Sequence, residues 1–340
     1  MRQAVMTKPG DIEIREVSEP DHLEENEIKL KIHKIGVCGS DIHVYHGKHP
    51  FTSYPVVQGH EYSGEVVAVG ESVTTVKPGD KATARPQQVC GVCGPCKRGD
   101  YNICNNLKVE GFQAPGTAQD YFVIPEERVV KLPDVLTYEQ GAMIEPAAVG
   151  AHSTQKAGDL KNKNVVVFGA GPIGNLVAQF VKARGAAKIL ITDVSDFRLS
   201  KAKECGIENT LNVSKENLDD SIHKIFGDEG FEVAFECAGL EITLDQSIQL
   251  INKGGTIVVV AVYGENPRVN MAIVGDRELR LIGTLMYKHE DYLDAVRLIE
   301  AGKIKTAPLF TSHFDFNDYL SAYKFIDAQA DRSLKVIIDL

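Results

Sequence analysis

A chain of 340 residues is long enough for two domains with substantial cores. Its composition, 43% hydrophobic and 25% charged, is that of globular protein, and a formal net charge of −10 disfavours nucleic acid or an anionic membrane as partner and leaves small molecules. The start, MRQAVMTKPGDIEIREV, has no long apolar run and carries acids early, so it does not read as a secretory leader and the expected compartment is the cytoplasm.

Residues 1 to about 150 read as β-rich, with short strands such as 28–32 and 65–69 separated by Gly, Pro and Asp signals, and VKPGDKA forming a turn between strands. Within this half, GVCGSDIH places Cys38, Ser40 and His43 in a loop, and QGHEYSG places His60 beside Glu61. Neither segment is informative alone, because a lone histidine is more often structural than a ligand. His46 and His49 share the polar segment HVYHGKHP and receive no role.

The stretch CGVCGPCKRGDYNIC then puts Cys90, Cys93, Cys96 and Cys104 within fifteen residues, whereas the rest of the chain holds three more cysteines. Two-residue gaps let a tight loop aim successive sulfurs at one point, and a tetrahedral zinc closed by four thiolates is the commonest answer to such a loop. The rivals fit less well. A ferredoxin-type run has its fourth cysteine three residues on, followed by proline, but here the last gap is seven residues and Asn105 follows. Disulfides need an oxidising compartment.

From about residue 160 apolar strands alternate with amphipathic helices: strands at 165–168, 189–193, 233–236 and 256–262, helices at 173–184, 196–205, 215–226 and 242–251. This rhythm predicts a parallel sheet covered on both faces. The most apolar window, 165–181, is broken by Gly169, Gly171, Pro172, Gly174 and Asn175, which reads as strand, turn and helix rather than a membrane span. A strand at 279–285 and a helix at 291–301 follow, and the tail LKVIIDL could complete either domain.

The turn NVVVFGAGPIGN holds Gly169, Gly171 and Gly174 in G-x-G-x-x-G spacing, directly after a strand and opening a helix. The first glycine makes the turn, the second admits a pyrophosphate, the third packs helix on strand, and the helix N-terminus faces the phosphates. Asp193 ends the next strand, nineteen residues after Gly174, where a carboxylate hydrogen-bonds the ribose 2′-OH and repels a 2′-phosphate, so NAD is favoured over NADP. The expected cofactor surface comprises Gly169, Gly171, Pro172, Ile173, Gly174, Asp193, Val262 and Arg198, the last of which could tolerate a phosphate.

GVCGSDIH, GHEYSG, the four-cysteine loop, MIEPAAVG and GAGPIG stand in the order and approximate spacing of the zinc-dependent medium-chain alcohol dehydrogenases, and the chain resembles that family over nearly its whole length. It is closest in character to the polyol branch, which includes sorbitol, butanediol and threonine dehydrogenases. The resemblance implies an α/β protein: a Rossmann doubly wound parallel sheet domain, 151–280, inserted in a GroES-like β-rich catalytic domain made of 1–150 and 281–340, with a structural-zinc lobe at about 86–108. It implies two zincs per chain, with Cys38, His60, Glu61 and Glu145 as catalytic-zinc ligands and the four loop cysteines holding the other. Glu145 stands where many simple-alcohol dehydrogenases have cysteine, and one of the two glutamates exchanges because a catalytic zinc keeps a position open.

The implied activity moves hydride from a secondary alcohol to NAD, giving a ketone, with Ser40 and His43 relaying the proton. A homotetramer or homodimer is implied. Sorbitol dehydrogenases carry an aromatic after the relay histidine and an arginine in the segment corresponding to GTLMY; this chain has Val44 and Met286 and retains Tyr287, which suits a smaller or less polar alcohol than sorbitol. Diols, polyols and sugar acids remain, with Lys288, His289 and Arg277 available to an anionic group. The alternatives are a threonine dehydrogenase and a non-catalytic dinucleotide-binding protein, the latter disfavoured by the intact ligand set.

Overall fold

The computed structural model describes residues 1–340, which divide into two compact units: Met1–Glu145 with Lys288–Glu300 and Phe310–Leu340, and Pro146–Tyr287 with Ala301–Leu309.

In the first unit the strand Glu27–Val37 organises the sheet. Alternation along EIKLKIHKIGV buries Ile28, Leu30 and Ile32, and a register shift between Ile32 and Lys34 turns Ile35 inward as well. The sheet runs Phe310–Asp315, Lys335–Asp339, Glu27–Val37, Glu61–Val69, Lys81–Ala84, Val129–Lys131, with Tyr121–Pro125 pairing Glu27–Val37. The tail LKVIIDL therefore belongs to this unit. Its strand sets Ile337 on one side of Gly36, while Glu61 lies on the other.

The second unit is a six-stranded parallel sheet in the order Asn209–Asn212, Lys188–Asp193, Asn164–Phe168, Val233–Glu236, Thr256–Val259, Arg280–Gly283. Period-two alternation along the central strand sends Val165 and Val167 into one apolar cluster and Val166 and Phe168 into another, so both faces are covered. Two expectations are corrected here. The strand expected to reach residue 262 stops at Val259, leaving Val262 in a loop with 82% of its surface exposed. The helix expected from residue 215 begins at Leu218, because the Asn217 side chain accepts from the Asp220 N–H and caps it there. No helix is long and apolar enough to cross a membrane.

Candidate active site and metal centres

The four-cysteine loop closes on itself. Cys93 precedes the short helix Gly94–Lys97, and the Sγ atoms of Cys90, Cys93, Cys96 and Cys104 all lie within 4.8 Å of one another, with Cys104 3.5 Å from Cys90 and 3.8 Å from Cys93. A tetrahedron with metal–sulfur bonds of about 2.3 Å has edges of about 3.8 Å, so the spacing fits a zinc closed by four thiolates. The same distances exclude disulfide bonds, which require about 2 Å, and the four cysteines are free thiols. Backbone N–H groups of Val92 and Cys93 hold the Cys90 thiol down to about 6, whereas burial and the neighbouring thiols push Cys96 up to about 12.

A second cluster joins three residues from two elements. Cys38 stands at the start of the helix Gly39–Tyr45, and His60 and Glu61 enter the strand Glu61–Val69; one ligand atom from each lies within 4.8 Å of the others. Sulfur, imidazole nitrogen and carboxylate oxygen are a donor set suited to a catalytic zinc, which takes three protein ligands. Two groups that sequence reasoning missed hold the cluster in shape.

The first is Asp41, 1% exposed, three residues beyond Cys38. Its Oδ2 accepts from the Cys38 N–H at 2.9 Å, its Oδ1 accepts from Gln58 Nε2 at 3.2 Å, and Oδ1 lies 3.5 Å from His60 Nδ1. That last separation is too long for a full hydrogen bond, and Nδ1 is a buried nitrogen without one. Asp41 therefore lies beside the Nδ1 edge of the ring as a charge rather than as a hydrogen-bond partner. Gln58 is fixed in turn by the Tyr323 hydroxyl, which donates to its Oε1 at 3.0 Å. Burial is the largest single influence on His60 and opposes its charge, but the Asp41 carboxylate and Cys38 together outweigh it and hold the imidazole well above its ordinary pKa. The capping pattern Cys38-x-x-Asp41 was the available local signal for Asp41.

The second is Lys335, whose Nζ donates to both Glu61 oxygens, at 2.7 and 2.5 Å, and to the Val37 carbonyl at 3.3 Å. Its side chain is 3% exposed and that of Glu61 1%. Desolvation works against the ammonium, yet Glu61, Cys38 and Glu145 together raise its pKa. No local signal could reveal this pair, 274 residues apart in sequence. Gly36 makes room for it, since a Cβ there would stand 2.4 Å from Glu61 Oε2.

The remaining expected residues divide. Glu145 is buried at the start of the helix Ile144–Lys156 and does not join the 4.8 Å group, although its charge reaches Lys335. Ser40 is half-buried and His43 exposed on the helix that Cys38 opens. Val44, read from sequence as favouring a less polar substrate, is wholly buried in the core. Two of the three cations offered to an anionic substrate are otherwise engaged: Lys288 pairs with Asp100 at 2.9 Å, and Arg277 caps the helix Glu241–Leu250 through the Ile248, Gln249 and Ile251 carbonyls, whereas His289 bonds the Tyr101 hydroxyl only through its backbone N–H and its ring Nδ1 is buried without a partner. A cavity of about 550 Å³ in this unit, lined by Arg15, Phe51, Ser53, Phe112 and Gln113 among others, contains none of the candidate metal ligands.

In the second unit the glycine turn has the form a dinucleotide needs. Gly169 sits at φ 96°, and a Cβ on Gly174 would stand 1.9 Å from the Gly169 carbonyl oxygen. Gly171, the residue before the helix Pro172–Ala183, faces open space. Asp193 is tied to this turn: Oδ2 accepts from the Ala170 N–H at 2.8 Å, Oδ1 accepts from the Val194 and Ser195 N–H groups, and Arg198 Nη1 lies 3.9 Å from Oδ2.

A strand-rich unit carrying two zinc-type ligand clusters and a parallel-sheet unit carrying a dinucleotide turn define a dehydrogenase architecture. Residues 24–134 match the alcohol dehydrogenase GroES-like domain and residues 172–301 match the zinc-binding dehydrogenase family. Sorbitol dehydrogenase 2 of Saccharomyces cerevisiae is 38% identical, over 98% of this chain and 96% of that protein. Among solved structures, an Escherichia coli oxidoreductase/dehydrogenase of unknown specificity aligns with TM-score 0.95 and 30% identity, covering 99% of this chain and 98% of that one. The 2R,3R-butanediol dehydrogenase of Bacillus subtilis aligns with TM-score 0.91 and 29% identity, covering 100% and 99%. The chain belongs to the zinc-type medium-chain dehydrogenase/reductase family, in its polyol and sugar-alcohol dehydrogenase branch, and is an oxidoreductase.

Proposed function

We propose that this protein oxidises a secondary alcohol of a polyol, diol or sugar-derived substrate to a ketone, passing hydride to NAD with the help of a catalytic zinc. The observation that carries this reading is the cluster of Cys38, His60 and Glu61, whose donor set fits that metal and whose Cys38 backbone is held by Asp41. Cys38 and His60 are the constant ligands, and Glu61 and Glu145 are the carboxylates that exchange. When bound, zinc supplies a Lewis acid that makes an alcohol oxygen acidic near neutral pH.

The chain's own groups do the rest. Asp41 favours the charged form of His60 across 3.5 Å, and Lys335 neutralises Glu61 while that carboxylate is away from the metal. Ser40 takes the alcohol proton and His43 passes it to solvent, a role its exposed position suits. The open space at Gly171 receives the pyrophosphate, and Asp193 selects NAD through the ribose 2′-OH, its Oδ2 keeping a lone pair beyond the one used on the Ala170 N–H. Pro172, Ile173, Val262 and Arg198 complete that surface. Cys90, Cys93, Cys96 and Cys104 hold a structural zinc. The enzyme works as a homotetramer or homodimer in the cytoplasm, where seven unpaired thiols remain reduced.

The test is a panel of diols, polyols, sugar acids and L-threonine monitored for NADH formation before and after chelation, with metal analysis. NADH formation from a diol or polyol that stops on chelation, in protein holding two zincs per chain, is the expected result. Turnover that survives complete removal of zinc overturns the metal's role, and turnover of L-threonine alone overturns the substrate class.

A further inference from the structure

We propose that the four-cysteine lobe clamps the chain where it returns from the second unit to the first, so that losing the lobe's metal loosens residues 284–292 while the cluster of Cys38, His60 and Glu61 stays in place. The proposal rests on the reading of that lobe as a zinc site. Three observations carry it.

The first is the long gap in the cysteine motif. Cys90, Cys93 and Cys96 are spaced by two residues, but seven separate Cys96 from Cys104. The gap is folded tightly between its ends: the Gly99 N–H donates to the Cys96 carbonyl at 3.0 Å, the Asp100 N–H to the Pro95 carbonyl at 2.9 Å, and the Cys104 N–H to the Tyr101 carbonyl at 3.0 Å. Asp100 and Tyr101 are therefore placed by the two cysteines that flank them.

The second is what those two residues hold. Asp100 Oδ1 accepts from Lys288 Nζ at 2.9 Å, and the Tyr101 hydroxyl oxygen accepts from the His289 backbone N–H at 2.5 Å. Lys288 and His289 are the first residues of the stretch Lys288–Glu300 that rejoins the first unit, and His289 opens the helix His289–Glu300. An amide in the first turn of a helix has no acceptor within that helix, and Tyr101 supplies one. The Arg85 guanidinium lies 5.3 Å from the centre of the Tyr101 ring, and the Tyr292 hydroxyl donates to the Ala84 carbonyl at 3.2 Å. Both sides of the contact are thus tied to the end of the strand Lys81–Ala84.

The third is the backbone just upstream. Met286 stands at φ 52°, in the left-handed region that residues other than glycine and asparagine rarely adopt. Such a conformation persists only where its surroundings over-determine it. On one side the strand Arg280–Gly283 is paired with Thr256–Val259. On the other, Lys288 is pinned by its side chain to Asp100 and by its N–H to Asp291 Oδ2 at 2.7 Å. Freeing the lobe removes part of the second restraint and lets the turn at Met286 relax.

Hydrogen exchange read by mass spectrometry tests this on the full-length, zinc-loaded protein, over 284–292 and, as a control, 61–69. Wild type is compared with Cys104→Ser, with the double variant Asp100→Asn and Tyr101→Phe, and with that double variant carrying Met286→Asn; bound zinc is counted in each. Losing one hydrogen bond and one ion pair predicts exchange about tenfold faster over 284–292 in Cys104→Ser and in the double variant, which keeps both zincs, with 61–69 changed less than about twofold. Met286→Asn should slow that exchange again, because asparagine accepts left-handed backbone more readily. Wild-type exchange over 284–292 in the double variant overturns the clamp while the zinc reading of the lobe stands, and this arm decides alone if Cys104→Ser does not fold. Faster exchange at 61–69 to the same degree, unrelieved by Met286→Asn, shows general loosening and overturns it too. Cys104→Ser protein that retains two zincs overturns the metal reading on which the clamp rests.

Discussion

Replacing Lys335 by Met removes the only cation that touches Glu61 and leaves a carboxylate 1% exposed without a counter-charge. Breaking a buried pair from one side costs about 3–5 kcal/mol. The carboxylate can escape by taking a proton, and protonating an ordinary carboxylate at pH 7 costs roughly 3–4 kcal/mol, so the two routes agree in size. The second route gives the variant a signature, because its cost falls by about 1.4 kcal/mol per unit of acidification and is down to about 1 kcal/mol at pH 5. Chemical denaturation of metal-free Lys335→Met and wild type at both pH values measures the difference. The expected deficit is about 3–5 kcal/mol at pH 7 and most of it vanishes at pH 5. Zinc should stabilise the variant more than wild type, since Glu61 then finds a cation in the metal. A deficit below about 1 kcal/mol at pH 7, or one equal at both pH values, refutes the assignment of Lys335 as the counter-charge. Glu61→Gln combined with Lys335→Met should recover most of the lost stability, because no buried charge remains.

Ser40→Ala should slow alcohol oxidation by about 10²-fold or more while zinc content stays at the wild-type level; equal turnover in a steady-state assay counts against the proton relay. Cys104→Ser should lower bound zinc from two to one per chain and reduce thermal stability, since Cys104 Sγ is the sulfur that lies against both Cys90 and Cys93, and atomic absorption reads this directly. Asp193→Ala should weaken NAD binding and narrow its advantage over NADP, measured as the ratio of kcat/KM for the two cofactors. Glu110, wholly buried beside Arg128 and Tyr62, is pushed up to about 7 from 4.5, chiefly by burial and against the pull of Arg128. A raised folded-state pKa contributes stability that is present below about pH 4.5 and lost as the pH rises through about 7, so Glu110→Gln should flatten the stability profile across that window.

Periodicity alone located most of the second unit, because a strand buried on both faces is a continuous apolar run that local reading detects. Its errors fell at ends. Val262 looked like strand on hydropathy, but pairing with Arg280–Gly283 ends at Val259 and the chain turns out to solvent. Residue 215 looked helical until the Asn217 cap fixed the start.

The metal-ligand types and the glycine turn were also legible, because coordination and phosphate binding demand particular side chains at short spacings, as in Cys90-x-x-Cys93-x-x-Cys96 and Gly169-x-Gly171-x-x-Gly174. What surrounds them was not. The Lys335–Glu61 pair exists because the last strand lies antiparallel beside Glu27–Val37, which also pairs with Glu61–Val69; that register is a property of the whole sheet. Val44 and Arg277 looked available to a substrate by residue type, and burial in one case and helix capping in the other decided otherwise. Sequence by itself determined which atoms can bind metal and nucleotide, since that depends on chemistry and spacing within a loop. Tertiary structure alone decided which charges face one another across the sheet, because those contacts join residues that only the folded register brings together.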